Sequence, residues 1–174
     1  IERKAVKHCA RIVFTSPGAE TFYRQKFPEA PDRLWAVIPN GFDEALFARV
    51  LADATPTQRA SGAPVQLLHS GVIYPEERDP RPLFEALGRL KRQGKIDAAT
   101  LQLRLRATGH DSRYQPLLAQ LDIEDIVELA PPILYQAALR EMLEVDGLLL
   151  LQADGCHYQI PAKAYEYIRA NRPI

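Results

Sequence analysis

Lys163 and Glu166 stand three residues apart in the run Ile160-Pro161-Ala162-Lys163-Ala164-Tyr165-Glu166-Tyr167, and a helix with Pro161 at its first position sets them one turn apart. The opening turn of a helix presents backbone N–H groups that have no intrahelical acceptor, together with about half a positive charge from the macrodipole. With Lys163 beside those amides and Glu166 one turn on, an anion and a hydroxyl-rich group can bind side by side. A nucleotide offers that pair as pyrophosphate and ribose. The same two side chains also suit a solvated i, i+3 ion pair that binds nothing.

Other candidates lie where apolar runs end. The run 65–69 stops at Ser70-Gly71, the run 101–107 at Thr108-Gly109, and the run 126–129 at Ala130-Pro131-Pro132-Ile133. Gly71 and Gly109 either admit a ligand close to the backbone or simply end a strand. Arg78, in the loop after the first run, either neutralises a phosphate or pairs with Glu76, Glu77 or Asp79. No G-x-G-x-x-G occurs, which disfavours a redox dinucleotide site. No D-x-D occurs either, so a carboxylate pair for a divalent ion has no obvious source and no metal is expected. Cys156-His157 lacks a second pair at ligand spacing, and His110 and His157 read as surface histidines in loops on the ligand edge. Tyr158, Tyr165 and Tyr167 read as packing, with Tyr158 the one that can face a ligand.

These residues need a frame. The periodicity predicts helices over 2–10, 17–27, 80–93 and 134–143, a helix capped by Asp111, and the final helix from Pro161. Strands are predicted over 12–15, 34–38, 65–69, 101–107, 126–129 and 145–151, with Pro173-Ile174 starting another. Strands alternating with helices imply right-handed crossovers and a parallel sheet, hence an α/β, Rossmann-like architecture whose ligands bind beyond the carboxyl ends of the strands. The strict alternation of Leu101-Gln102-Leu103-Arg104-Leu105-Arg106 is unusual for a strand covered on both faces, so one face there should be poorly covered. Between Ala52 and Pro64 the composition turns to Ala, Thr, Gln, Ser, Gly and Pro, which is linker-like.

Composition narrows the class. The chain has 174 residues, 47% apolar, enough for one core or for one domain with part of another. Charges balance at 22 against 22, which argues against nucleic acid as the general partner. Two distant cysteines favour a reducing compartment, and no apolar run nears the roughly 18 residues of a membrane span. The sequence opens without Met and stops where a strand should begin, so it reads as a fragment, with residues 145–151 left as an exposed apolar edge.

Val37-Ile38-Pro39-Asn40-Gly41-Phe42-Asp43, Leu67-Leu68-His69-Ser70-Gly71, the strand ending in Gly109, and Ile160-Pro161-Ala162-Lys163-Ala164-Tyr165-Glu166-Tyr167 before Arg172-Pro173-Ile174 resemble the retaining glycosyltransferases of the GT-B fold, family four. The resemblance implies that residues 1–43 end an N-terminal acceptor domain, 44–64 form an interdomain linker, and 65–174 are a truncated C-terminal nucleotide-sugar domain. It implies transfer of a sugar from a nucleotide-diphosphate sugar to an acceptor hydroxyl, on a glycan, a lipid-linked or another acceptor, with retention and without a metal. It further implies a cytoplasmic location and leaves room for peripheral association with the membrane face. Glu166 matches the second glutamate of the family's E-x(7)-E motif and would bind the donor ribose. Lys163 and Arg78 would act on the donor phosphates, while Gly71, Gly109, Pro132 and Ile133 line the donor site. The first glutamate of the motif falls on Tyr158, a departure at the usual contact to the transferred sugar. Two alternatives share parts of this reading: a GT-B sugar-nucleotide epimerase, and a non-catalytic nucleotide-binding or partner-binding module.

Overall fold

The computed structural model describes residues 1–53 and 60–174. It contains a two-stranded and a four-stranded sheet, both parallel, with helices between the strands. The smaller sheet pairs β1 (Ile12–Phe14) with β2 (Trp35–Val37), and Ile12 lies opposite Trp35. A short helix α1 (Glu2–His8) precedes it, and α2 (Pro17–Lys26) crosses between its strands. Ser16 caps α2 by accepting from the Ala19 amide at 3.1 Å, and Pro17 takes the first helical position, where its missing N–H costs nothing. Phe27, Leu34 and Trp35 form the buried centre of this unit.

Helix α3 (Glu44–Ala52) follows, capped by the Asp43 carboxylate on the Leu46 amide at 2.9 Å. The expected linker 44–64 is therefore not all linker. Phe47 and Val50 are fully buried against the larger sheet, and Arg169 clamps Glu44 with two hydrogen bonds of 2.6 and 2.7 Å. Burying two large apolar side chains holds a helix that composition alone does not announce. The rest of that segment includes residues 54–59, which lie outside the described residues.

The larger sheet has the order β5-β4-β3-β6, from β3 (Val65–Ser70), β4 (Leu101–Arg106), β5 (Val127–Ala130) and β6 (Gly147–Leu148). Helices α4 (Arg81–Arg92), α5 (Asp111–Gln120), α6 (Tyr135–Glu144) and α7 (Ala162–Ala170) complete it. Phe84, Leu87, Tyr114 and Leu118 of α4 and α5 cover one face with Leu103 and Leu105. Phe47, Leu139, Met142 and Tyr167 of α3, α6 and α7 cover the other with Leu68 and Leu148. The chain runs outward from β3 to β5 and then returns to the far side of β3 as β6. The switch point, where a doubly wound sheet binds its ligands, thus falls between the carboxyl ends of β3 and β6.

Three expectations change. The apolar run 145–151 supplies only a two-residue strand, yet it is not an exposed edge. Val145 and Leu148 are buried, and the Leu148 amide donates to Pro173 O at 2.8 Å on its outer side. Asp111 is the first residue of α5 and not its cap; its carboxylate accepts from the Thr108 hydroxyl, and His110 precedes it without a side-chain cap. The polar face of β4 is covered after all, by charge. Arg104 donates to Glu128 at 2.6 Å and to Glu141 of α6 at 2.7 Å, and Arg106 grips the same Glu141 at 2.6 and 2.9 Å. Burial works against the Glu141 carboxylate, but hydrogen bonds from Arg106 and Arg104 outweigh it and lower its pKa. No helix among the described residues is long and apolar enough to cross a membrane.

Removing Glu141 leaves Arg106, only 9% exposed, with the Pro131 carbonyl as its remaining acceptor. Breaking a buried pair costs roughly 3–5 kcal/mol, and the partial exposure of Arg104 reduces this, so Glu141→Ala should lose about 2 kcal/mol in urea unfolding. Arg104→Ala, cut at the exposed end of the network, should lose less than about 1 kcal/mol. Equal losses would contradict the assignment of the buried end to Arg106.

Candidate functional site

The carboxyl ends of β3 and β4 are tied into one edge. The Gly71 amide donates to Arg106 O at 2.9 Å and the Ile73 amide to Thr108 O at 3.0 Å. Gly71 and Gly109 both adopt positive φ, +109° and +76°, which side-chain-bearing residues seldom hold. A Cβ on Gly71 would stand 3.4 Å from Lys163 Nζ, so the missing side chain is the gap through which the lysine passes.

Beyond that gap Lys163 meets a partner the sequence did not advertise. Its Nζ lies 2.9 Å from His69 Nε2, while His69 Nδ1 lies 2.9 Å from Leu149 O just past β6. A carbonyl can only accept and an ammonium can only donate, so the partners fix the tautomer: Nδ1 carries the proton and Nε2 is bare. His69 is 0% exposed. Burial, and then the neighbouring Lys163 charge, pull its pKa down to about 4, so it is neutral at physiological pH. Burial, then Arg78, pull the Lys163 ammonium down to about 8, with Glu166 acting the other way.

Arg78 does not pair with its acidic neighbours. Asp79 is taken by Arg81 at 2.8 and 3.0 Å, and the Arg78 guanidinium instead lies 5.2 Å from the Tyr74 ring centroid. It has no carboxylate partner among the described residues, and its field reaches both Lys163 and His69. Glu166 projects from α7 one turn beyond Lys163 and accepts from the Tyr135 hydroxyl at 2.5 Å. Burial, then that hydrogen bond, raise the Tyr135 pKa, so the phenol stays a donor. Pro132 and Ile133 are exposed in the loop from β5, just upstream of Tyr135. Pro161 is the residue before α7 and not its first residue, a one-residue difference that leaves the first-turn amides of Ala162 and Lys163 in place.

Tyr158 goes elsewhere. Its ring stacks on Phe22 of α2 with centroids 4.9 Å apart and planes within 4°, and its carbonyl accepts from the Ser16 hydroxyl at 2.6 Å. A Cβ on Gly18 would approach that carbonyl to 2.9 Å, so the loop before α7 is pressed onto α2. Next to this contact a cleft of about 430 Å³ opens between the two sheets, lined by Thr15, Tyr23, Asn40, Arg78, Tyr158 and Pro161 among others. Of the tyrosines read as packing, Tyr167 is buried and takes the Ser70 amide on its hydroxyl oxygen at 2.9 Å. Among the described residues no group of three His, Cys, Asp or Glu is placed to hold a metal ion.

No protein-family model matches the chain, and no curated protein does. Solved structures do. Superposition on the pneumococcal O-GlcNAc transferase GtfA, crystallised with UDP and GlcNAc, gives a TM-score of 0.60 at 12% identity and covers 94% of this chain. The architecture is of the GT-B type. This chain spans 29% of the length of that GT-B neighbour, and at such identity the likeness speaks for the fold.

His69 and Tyr135 escaped the sequence reading. The signal for His69 was faint but present, a ring nitrogen source in the last residues of a buried apolar strand, just before Ser70-Gly71. Between pH 6.5 and about 4 the unfolded chain carries a proton on His69 that the folded chain refuses, so stability falls as pH falls through that window. Full titration is worth on the order of 3 kcal/mol. Urea midpoints from pH 7 to pH 4.5 should therefore fall more steeply for the wild type than for His69→Gln, which keeps an acceptor but cannot titrate. Parallel pH profiles would place the acid sensitivity elsewhere.

Proposed function

We propose that the chain is the nucleotide-diphosphate-sugar site of a glycosyltransferase that moves a sugar to an acceptor hydroxyl with retention of configuration. The observation that carries this reading is a charge imbalance. Two cations, Lys163 and Arg78, converge with helix amides at the switch point of the sheet, and neither has a carboxylate hydrogen-bonded to it among the described residues. Such an edge is incomplete without an anion, and its neighbour Glu166 accepts hydrogen bonds, as a ribose requires. The GT-B neighbour was solved with UDP, which supports a nucleoside diphosphate as the anion here.

Each residue then has a task. Lys163, Arg78 and the first amides of α7 face the diphosphate, and Gly71 and Gly109 let it approach the backbone. Tyr135 occupies Glu166 Oε1 and leaves Oε2 for a ribose hydroxyl, while Pro132 and Ile133 border the base. As the glycosidic bond breaks, charge builds on the leaving diphosphate, and preorganised cations stabilise that charge more than the ground state. The acceptor enters from the cleft beside Tyr158, where Asn40 and Thr15 of the other unit meet Arg78. A divalent ion has no assigned task, and transfer should persist in excess chelator. Residues 1–43 then belong to the acceptor domain and 65–174 to the donor domain. An epimerase of the same fold needs carboxylates in the cleft, and none of the described residues lining it is one.

Isothermal calorimetry with UDP tests the assignment. Glu166→Gln weakens a charged hydrogen bond worth about 1.5–3 kcal/mol, so affinity should drop about tenfold or more. Lys163→Ala should lower UDP affinity about tenfold, and both it and Arg78→Ala should lower turnover of the parent enzyme by more than they lower binding. Wild-type affinity should also decline as pH rises above about 8, where Lys163 sheds its proton, and the decline should vanish in Lys163→Ala. Glu166→Gln and Lys163→Ala that both bind and turn over like the wild type would reduce α7 to a packing helix.

A further inference from the structure

The donor-edge reading leaves His69 without a task, although it is fully buried and both its ring nitrogens are engaged. Its burial keeps it from touching a ligand. Its effect must pass through Lys163, for which it is the one hydrogen-bond acceptor among the described residues. A lysine side chain has many rotamers, and an ammonium aimed at a fixed point needs something that holds it there. The obvious holder is a carboxylate, but a carboxylate would cancel the charge. A neutral imidazole takes one N–H and leaves the full positive charge and the two remaining N–H groups for an incoming anion. The imidazole is itself held, because Nδ1–H is spent on Leu149 O across the switch point between β3 and β6.

We propose that His69 is a positioning residue for Lys163: anchored on the Leu149 carbonyl, it accepts one ammonium N–H and fixes the lysine over Gly71 with its charge uncancelled, ready for a diphosphate. The inference rests on the nucleotide-diphosphate reading of the edge. Lys163 reinforces the arrangement in return, since its charge opposes protonation of the ring. The other groups bearing on the pair are Arg78 from the loop after β3, Glu166 one turn along α7, and the Tyr167 hydroxyl, which is occupied by the Ser70 amide. Arg78 works in the same direction as Lys163 on the ring, and Glu166 favours the lysine cation.

The test compares affinities for UDP and for uridine in the full chain, because their ratio isolates the diphosphate. His69→Leu should lower UDP affinity about tenfold with uridine affinity unchanged, and His69→Gln, whose amide oxygen can accept from the ammonium, should recover most of the loss. A merely structural role would move both ligands together and would not be rescued selectively. If His69→Leu binds UDP like the wild type while Lys163→Ala does not, the positioning role falls and the donor edge stands. If Lys163→Ala also binds UDP like the wild type, both fall. Should His69→Leu fail to fold, the wild-type imidazole nitrogens decide by ¹⁵N NMR. The neutral Nδ1–H tautomer at pH 6, with an Nε2 resonance that moves in Lys163→Ala, upholds the pairing, and a protonated ring or an unmoved Nε2 overturns it.

Discussion

A buried imidazole held neutral between a carbonyl and an ammonium anchors the edge where β3 and β6 end. His69 bridges the end of β3 to the residue after β6 on one side and receives Lys163 on the other, at 2.9 Å in both directions. The bridge spans the place where the sheet reverses its winding, so it stitches together the two halves that must stay in register for the edge to exist. The same geometry sets the charge. Because the ring is neutral and Asp79 is spent on Arg81, the edge keeps Lys163 and Arg78 uncancelled in a half-buried setting where electrostatic attraction to an anion is stronger than in water.

The covering helices serve that edge in different ways. Helix α7 brings Lys163, Glu166 and its own amides, and it is seated by Tyr167 on the Ser70 amide and by Arg169 on Glu44 of α3. Helix α6 contributes Tyr135 to Glu166 at its beginning and Glu141 to Arg104 and Arg106 further along, so one helix spans the polar surface of β4 and the start of α7. Across the cleft, Ser16, Gly18 and Phe22 press on the loop that carries Tyr158. A glutamate at that position would find a ring and a carbonyl partner already committed to the smaller unit. Tyr158, where the resemblance would place a glutamate, thus supplies a contact between the two units.

Much of this was legible in the sequence because it depends on short-range rules. The alternation of strands and helices, the opening of α2 at Pro17, the glycines at 71 and 109 and the spacing of Lys163 and Glu166 each follow from local periodicity and backbone freedom. What was not legible depends on tertiary approach. His69 and Lys163 are separated by 94 positions and Tyr135 and Glu166 by 31, and no pattern within a window joins them. The apolar run 145–151 promised a long strand, but only Gly147 and Leu148 pair formally. Helix α3 was hidden because its reward, the burial of Phe47 and Val50, lies on α6 and α7.

The central claim is that an anion of the nucleoside-diphosphate class binds at the edge between β3 and β6, against the start of α7. Amide NMR during a titration with UDP tests it most directly, because the claim names the backbone groups that the ligand approaches. The account predicts saturable shifts concentrated at Gly71, Gly109, Ala162 and Lys163, with those of α4 and α5 away from the edge unmoved. Shifts that are absent at saturating UDP, or that cluster away from these four residues, would contradict it.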